Sequence, residues 1–227
     1  MQIQAFRDAT AVAEKAAQII VAEAQASVSA RGRFNLAVSG GETPWRMLRT
    51  LAAKELPWAD VFIFQVDERV APDGDPKRNL THLHESMSQL VAMPSDQIYA
   101  MPVNLPDLKA ASDLYTSIIE KTVGVPAVLD LVHLGLGSDG HTASLVPGDP
   151  VLEVQDRDVA VSGTYQGTRR MTLTYPILNR SRRILWVITG IEKAEMLARL
   201  RNKDASIPAG RVRQDRAIVL ADRAAAQ

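Results

Sequence analysis

Leu129-Asp-Leu-Val-His-Leu-Gly-Leu-Gly-Ser-Asp-Gly-His-Thr-Ala-Ser-Leu-Val-Pro147 decides how the chain is read. Its first six residues form an apolar run of the length and composition of a buried strand. The remainder is a glycine-rich turn that carries Asp139 and His141. A strand that empties into such a turn delivers polar chemistry to the carboxyl edge of a sheet, where open α/β folds bind their ligands. Histidine is also the side chain most easily poised to move protons near neutral pH.

Two other readings of this stretch fail on local physics. Gly135-x-Gly137-x-x-Gly140 matches a dinucleotide fingerprint, and Asp156 and Asp158 lie roughly 20 residues further on, where a ribose-binding acid is sought. That fingerprint requires a helix beginning at its third glycine, with the pyrophosphate on the helix amino end. Pro147, Gly148 and Pro150 follow too soon, since proline inside a helix costs about 3 kcal/mol. Around Ser138 the nucleophile elbow G-x-S-x-G is incomplete, because Leu136 replaces its first glycine.

Outward from this stretch, helical and strand patterns alternate. Ala9 to Ser29 is alanine-rich, with Val12, Ala16, Ile19, Ile20 and Glu23 at helical spacing. Helices are also expected at 43–53, 79–90, 108–123 and 193–202. Strands are expected at 34–38, 61–66, near Ile98, at 129–134, 159–161, 170–174, 183–189 and 217–220. Continuous apolar strands separated by helices predict a doubly wound, mostly parallel Rossmann-like α/β sheet with helices on both faces and a few short additional strands. The absence of repeats, low-complexity tracts and proline- or serine-rich linkers favours one domain over residues 1–227.

Composition bounds the partners. The 227 residues hold 26 basic and 26 acidic side chains, so there is no electrostatic case for nucleic acid or an anionic membrane. No apolar run approaches the ~20 residues of a membrane span, and Met1-Gln-Ile-Gln-Ala-Phe-Arg7 lacks the order of a signal peptide. With no cysteine, disulfides and thiolate metal sites are excluded, and a cytoplasmic location is expected. A monomer or weak homodimer is expected.

Three further strand ends carry polar groups. Ser39-Gly-Gly-Glu-Thr-Pro44 places glycines, an N-cap threonine and a proline suited to a first helical position after a strand. It reads either as an anion site built on a helix amino end or as an ordinary strand-to-helix turn. It lacks the lysine of a P-loop. Asp67-Glu68-Arg69 ends the next strand, and period two sends Asp67 and Arg69 to one side and Glu68 to the other. Lys193 opens a helix, where a cation opposes the dipole, so it marks either an anionic ligand or an exposed loop corner. His82 and His84, two apart on a helix, face different ways and do not read as a metal site. His133, inside the apolar strand, reads as a satisfied core histidine.

In this order, Ser39-Gly-Gly-x-Thr-Pro44, Asp67-Glu-Arg69, Gly137-x-Asp-Gly-His-Thr-Ala-Ser144, Arg170-Met-Thr-Leu173 and Gly190-x-x-Lys-Ala194 resemble the segments of 6-phosphogluconolactonases. The resemblance spans nearly the whole chain. It implies the α/β fold shared with glucosamine-6-phosphate deaminases and hydrolysis of a sugar-phosphate lactone, 6-phospho-D-glucono-1,5-lactone, in the pentose phosphate pathway. It also implies His141 as the catalytic histidine, with Asp67 and Arg69 beside it on the substrate. Ser39, Gly40, Gly41, Thr43, Gly137, Asp139, Gly140, Arg170 and Lys193 are implied as substrate-binding, with no metal and no cofactor. Arg169 and Arg170 are adjacent, and the sequence leaves open which one faces the substrate. Competing readings are amino-sugar phosphate deamination or isomerisation on the same scaffold, and a sugar-phosphate sensor without catalysis. For the lactonase, water activated by neutral His141 attacks the lactone carbonyl, and Arg69 or glycine amides of the 137–140 turn meet the growing oxyanion.

Overall fold

The structure, a computed structural model, describes residues 1–87 and 94–227. In chain order the elements are β1 (Gln2–Phe6), α1 (Ala9–Arg31), β2 (Phe34–Val38), α2 (Glu42–Ala52), β3 (Val61–Gln65), β4 (Asp67–Arg69), α3 (Asn79–Met87) and β5 (Ile98–Tyr99). There follow α4 (Leu108–Val123), β6 (Leu131–Leu134), β7 (Val159–Tyr165), β8 (Thr168–Leu173), α5 (Tyr175–Arg180), β9 (Arg183–Ile188), α6 (Ala194–Arg201) and β10 (Ala217–Asp222). Of the helix expected at 79–90, the last three positions lie outside the described residues.

Seven strands form one sheet in the order β1-β10-β9-β6-β2-β3-β5, and all its pairings are parallel. Both faces are covered, and strand period two sorts the side chains between them. Along β9, Ile184, Trp186 and Ile188 face the side of α4, α5 and α6, while Leu185 and Val187 face α1 and α2. Along β2, Ala37 goes to the first side, and Phe34, Leu36 and Val38 to the second. A fully buried aliphatic or aromatic side chain contributes ~1.5–3 kcal/mol by leaving water, so the double-sided pattern carries most of the fold's stability.

The chain leaves β2 toward β3 and β5, then returns to place β6 on the other flank of β2. At that reversal the loops after β2 and β6 diverge and open a crevice at the carboxyl ends. A second, antiparallel sheet, β4-β8-β7, closes the crevice from one side. It grows out of the first: Val66 donates its N–H to Val38 O in the large sheet, and its carbonyl accepts from Leu173 N in the small one. Thus β3 runs on into β4 and exchanges partners at one residue. Strand geometry therefore persists through Asp67-Glu68-Arg69, with Asp67 opposite Thr172 and Arg69 opposite Arg170.

The chain between Gly140 and Thr174 contains no α-helix, as the prolines dictate. Two elements went unread in the sequence, β1 and α5. β1 is an edge strand whose sheet partner among the described residues is β10, at the far end of the chain. α5 is a single six-residue segment that begins at Tyr175, with Pro176 in its first turn.

Candidate active site

A cleft of about 510 Å³ lies at the carboxyl ends of β2, β6 and β9, walled on one side by β4 and β8. Ser39, Gly40, Gly41, Thr43, Asp67, Arg69, Gly137, His141, Arg170 and Lys193 all line it. Asp139 and Gly140, also expected on the substrate, do not. Asp139 stands behind His141, and Gly140 turns with φ of 84° against Ile207.

The loop after β2 approaches its neighbours as closely as glycine permits. A Cβ on Gly40 would lie 1.9 Å from Asn79 Oδ1, and Gly41, at φ 130°, is the N-cap of α2. Gly40 and Gly41 amides face no acceptor among the described residues, at the positive end of an eleven-residue helix. Ser39 differs from the expectation. Its N–H donates to His133 Nδ1 at 3.3 Å and its hydroxyl to His133 O at 2.9 Å, so both donors are spent beneath the loop. Thr43 Oγ1 lies 2.6 Å from Thr189 Oγ1, tying this loop to the end of β9. Burial pushes the His133 imidazole down to about 3, so the ring is neutral. Having accepted at Nδ1, it carries its proton on Nε2, which is buried without a partner. The core-histidine reading holds for one ring nitrogen and not for the other.

On β4 the side chains divide as period two requires. Asp67 and Arg69 enter the cleft, while Glu68, wholly buried, accepts from Gln65 Nε2, the amides of Arg69, Asn79 and Leu80, and the Arg78 guanidinium. Asp67 is fixed from behind by Ser144 Oγ at 2.7 Å and Asn79 Nδ2 at 3.2 Å. Arg69 and Arg170 stand directly opposite each other, and neither forms an ion pair among the described residues. Their Nε atoms are buried without acceptors. Desolvation pulls the Arg170 guanidinium below its usual range; Asp67 opposes this and Arg69 adds to it. Arg69 Nη1 donates to Lys77 O at 2.7 Å and Arg170 Nη2 to Gln166 Oε1 at 3.2 Å, and with Arg170 only 4% exposed two like charges share this wall of the cleft. Arg169 is exposed, so Arg170 is the arginine of the cleft.

The turn after β6 positions His141. A Cβ on Gly137 would lie 2.0 Å from His141 Nδ1 and 2.6 Å from Asp139 Oδ1, so only glycine leaves room for that pair. Gly137 N donates to His141 O, and Gly140 N to Gly137 O. Those two amides are therefore spent within the turn and do not face an oxyanion, which leaves Arg69 from the expected set. His141 Nδ1 lies 2.5 Å from Asp139 Oδ1, and the His141 amide donates to the same oxygen at 3.1 Å. Desolvation works to raise the Asp139 carboxyl, but the bonds from the His141 amide and ring, the electrostatic pull of that ring and the Tyr165 hydroxyl outweigh it and hold the group below its usual value. Beyond His141, Ala143 takes φ of 54°, an unusual backbone for alanine, and Ser144 N donates to Thr172 Oγ1.

The far wall is the loop after β9. Both Asp222 carboxylate oxygens accept from Gly190 N at 3.2 Å, and this turn carries Lys193 to the cleft just before α6. Lys193 has no ion pair among the described residues. The sequence gives no role to Asp222, Thr189, Asn79, Ser144 or Tyr165, although Ser144 stands within the His141 segment. Each acts on a residue distant in the chain, and only the fold announces such contacts. Among the described residues no three His, Cys, Asp or Glu side chains converge as a metal ion would require. No described helix is long and apolar enough to cross a membrane.

Residues 7–220 match the family described as glucosamine-6-phosphate isomerases/6-phosphogluconolactonase. A 6-phosphogluconolactonase of Nostoc is 32% identical over 87% of this chain and 84% of its own. That of Mycobacterium tuberculosis is 34% identical over 99% of this chain and 96% of its own. The crystal structure of a 6-phosphogluconolactonase from Thermotoga maritima superposes with a TM-score of 0.87 at 26% identity, covering 97% of this chain and 98% of that one.

Proposed function

The chain belongs to the family of glucosamine-6-phosphate isomerases and 6-phosphogluconolactonases, and on that premise we propose that it hydrolyses 6-phospho-D-glucono-1,5-lactone to 6-phospho-D-gluconate, a cytoplasmic step of the pentose phosphate pathway. The observation that carries this reading is His141, held on the cleft wall by the Asp139 carboxylate at Nδ1. With Nδ1 donating to Asp139, Nε2 is the basic nitrogen. Water attacks the lactone carbonyl carbon as Nε2 takes its proton. The tetrahedral oxyanion then collapses, the bond from that carbon to the ring oxygen breaks, and the ring oxygen takes the proton back from the imidazolium. One water is consumed and the histidine returns neutral. General base assistance of this kind supplies about 10²–10⁴-fold, and a fixed carboxylate steadies the imidazolium between the two transfers.

Arg69 meets the oxyanion in this scheme, and Asp67, with both oxygens already anchored, accepts from sugar hydroxyls. The phosphate dianion is held by the Gly40 and Gly41 amides, the α2 amino end, Arg170 and Lys193, each charge-assisted bond contributing roughly 1.5–3 kcal/mol. Remote binding of this kind orients the reacting ring. One assay tests the proposal: purified protein is offered the phosphorylated lactone, and separately glucosamine 6-phosphate. Lactone loss above the spontaneous rate, with no ammonia released from the amino sugar, supports it. Ammonia release, or tight sugar-phosphate binding without turnover, overturns it.

A further inference from the structure

Tyr165 has no part in the scheme above, yet it touches both ends of it. It closes β7 before a two-residue turn, Gln166-Gly167, in which both residues have positive φ (50° and 79°), the geometry of a tight hairpin. The register between β7 and β8 shifts just before it, between Ser162 and Tyr165, and the side chain meets Asp139 and His141 from behind the cleft wall. Its hydroxyl donates to Asp139 Oδ2 at 3.0 Å, leaving Asp139 Oδ1 to His141. The tyrosine ring meets the imidazole edge-on, with centroids 5.3 Å apart and planes at 63°. The Arg170 guanidinium lies 4.9 Å above the centre of the same ring. Desolvation and the bond to Asp139 raise the Tyr165 hydroxyl above its ordinary value, so it stays a donor throughout the neutral range.

We propose that Tyr165 is a positioning residue for the hydrolytic step: its hydroxyl fixes the second oxygen of Asp139, so that the carboxylate holds the His141 ring with Nε2 free for water, while its ring seats Arg170. A carboxylate bound at one oxygen can swing about its Cβ–Cγ bond, whereas one bound at both cannot. The hydroxyl also draws charge from Asp139, which tempers the pull of that carboxylate on an imidazolium. Asp139 on its own turn and Tyr165 on the hairpin contact this imidazole, and the charged groups that line the same cleft include Asp67 and Arg69 on β4, Arg170 on β8, and Glu192, Lys193 and Asp222 on the far wall.

The inference rests on His141 being the base, and the test separates the two. In Tyr165→Phe the ring stays and only the hydroxyl goes, so Arg170 keeps its seat. We expect kcat to fall 3- to 10-fold with KM unchanged, and the acid limb of the kcat/KM profile to move to higher pH, because an untempered carboxylate favours the imidazolium. The pH midpoint of the His141 ring signals, followed by NMR without substrate, is expected to move the same way. Tyr165→Leu, which removes the ring as well, should in addition raise KM. Unaltered kcat and unaltered ring signals in a folded Tyr165→Phe protein would overturn the positioning role and leave the lactonase reading intact. Moved ring signals in a protein that never turns over the lactone would support the positioning role and sink the lactonase reading. A Tyr165→Phe effect confined to KM overturns the role assigned to the hydroxyl.

Discussion

His141 gets its orientation from Asp139, and Asp139 can stand there only because residue 137 has no side chain. A single position in a glycine turn thus fixes which imidazole nitrogen is basic. His141→Asn keeps a polar group of similar size against Asp139 but removes the base. We expect kcat to drop at least about 10²-fold with little change in KM, since the lost interaction belongs to the transition state. Steady-state assays on a variant with native circular dichroism check this, and near-normal turnover would remove His141 from the mechanism. Ser39 shows how far residue type alone misleads: a serine in a glycine loop reads as an anion donor, yet both its donors face inward to His133. No pattern in a sequence tells a hydroxyl which neighbour it will find.

At the scale of elements, the candidate site is a set of strand ends, and this explains what was legible. The central parallel strands announce themselves as double-sided apolar runs, and their following loops carry polar residues in plain view. β4 was legible as the charged end of the strand that begins with β3, and period two sorted its side chains. Its partner β8 lies about a hundred residues away, so the pairing of Arg69 with Arg170 was not. The choice between Arg169 and Arg170 likewise follows from the register of β8, which no local pattern specifies. The cations come from separate elements, Arg170 from β8 and Lys193 from the turn before α6, and they share one cleft. Arg170→Ala or Lys193→Ala should therefore lower kcat/KM for the phosphorylated lactone by about 10- to 150-fold. Unphosphorylated glucono-δ-lactone, assayed alongside, should lose little. Equal losses on both substrates would place these cations at the lactone end.

For the whole molecule, the buried His133 couples the fold to pH. Its folded-state value lies far below that of a free histidine, so the unfolded chain binds a proton that the folded one refuses. Between the folded value near 3 and the ordinary histidine range, stability rises with pH. It is lost on acidification by on the order of 1 kcal/mol per pH unit from this group. Urea unfolding at pH 7 and pH 5 measures the slope. His133→Asn, which can still accept from the Ser39 amide, should flatten it, and an undiminished slope would assign the acid sensitivity elsewhere. A different consequence follows from Val66, bonded to the large sheet through its amide and to the small sheet through its carbonyl. The two walls of the cleft are one continuous ribbon at that point, hydrogen-bonded to both sheets. A ligand then meets a receptacle already shaped for it, and binding needs no slow closing motion. Stopped-flow mixing with 6-phosphogluconate should give an observed rate that climbs linearly with concentration; a plateau would betray a rearrangement that this join ought to forbid.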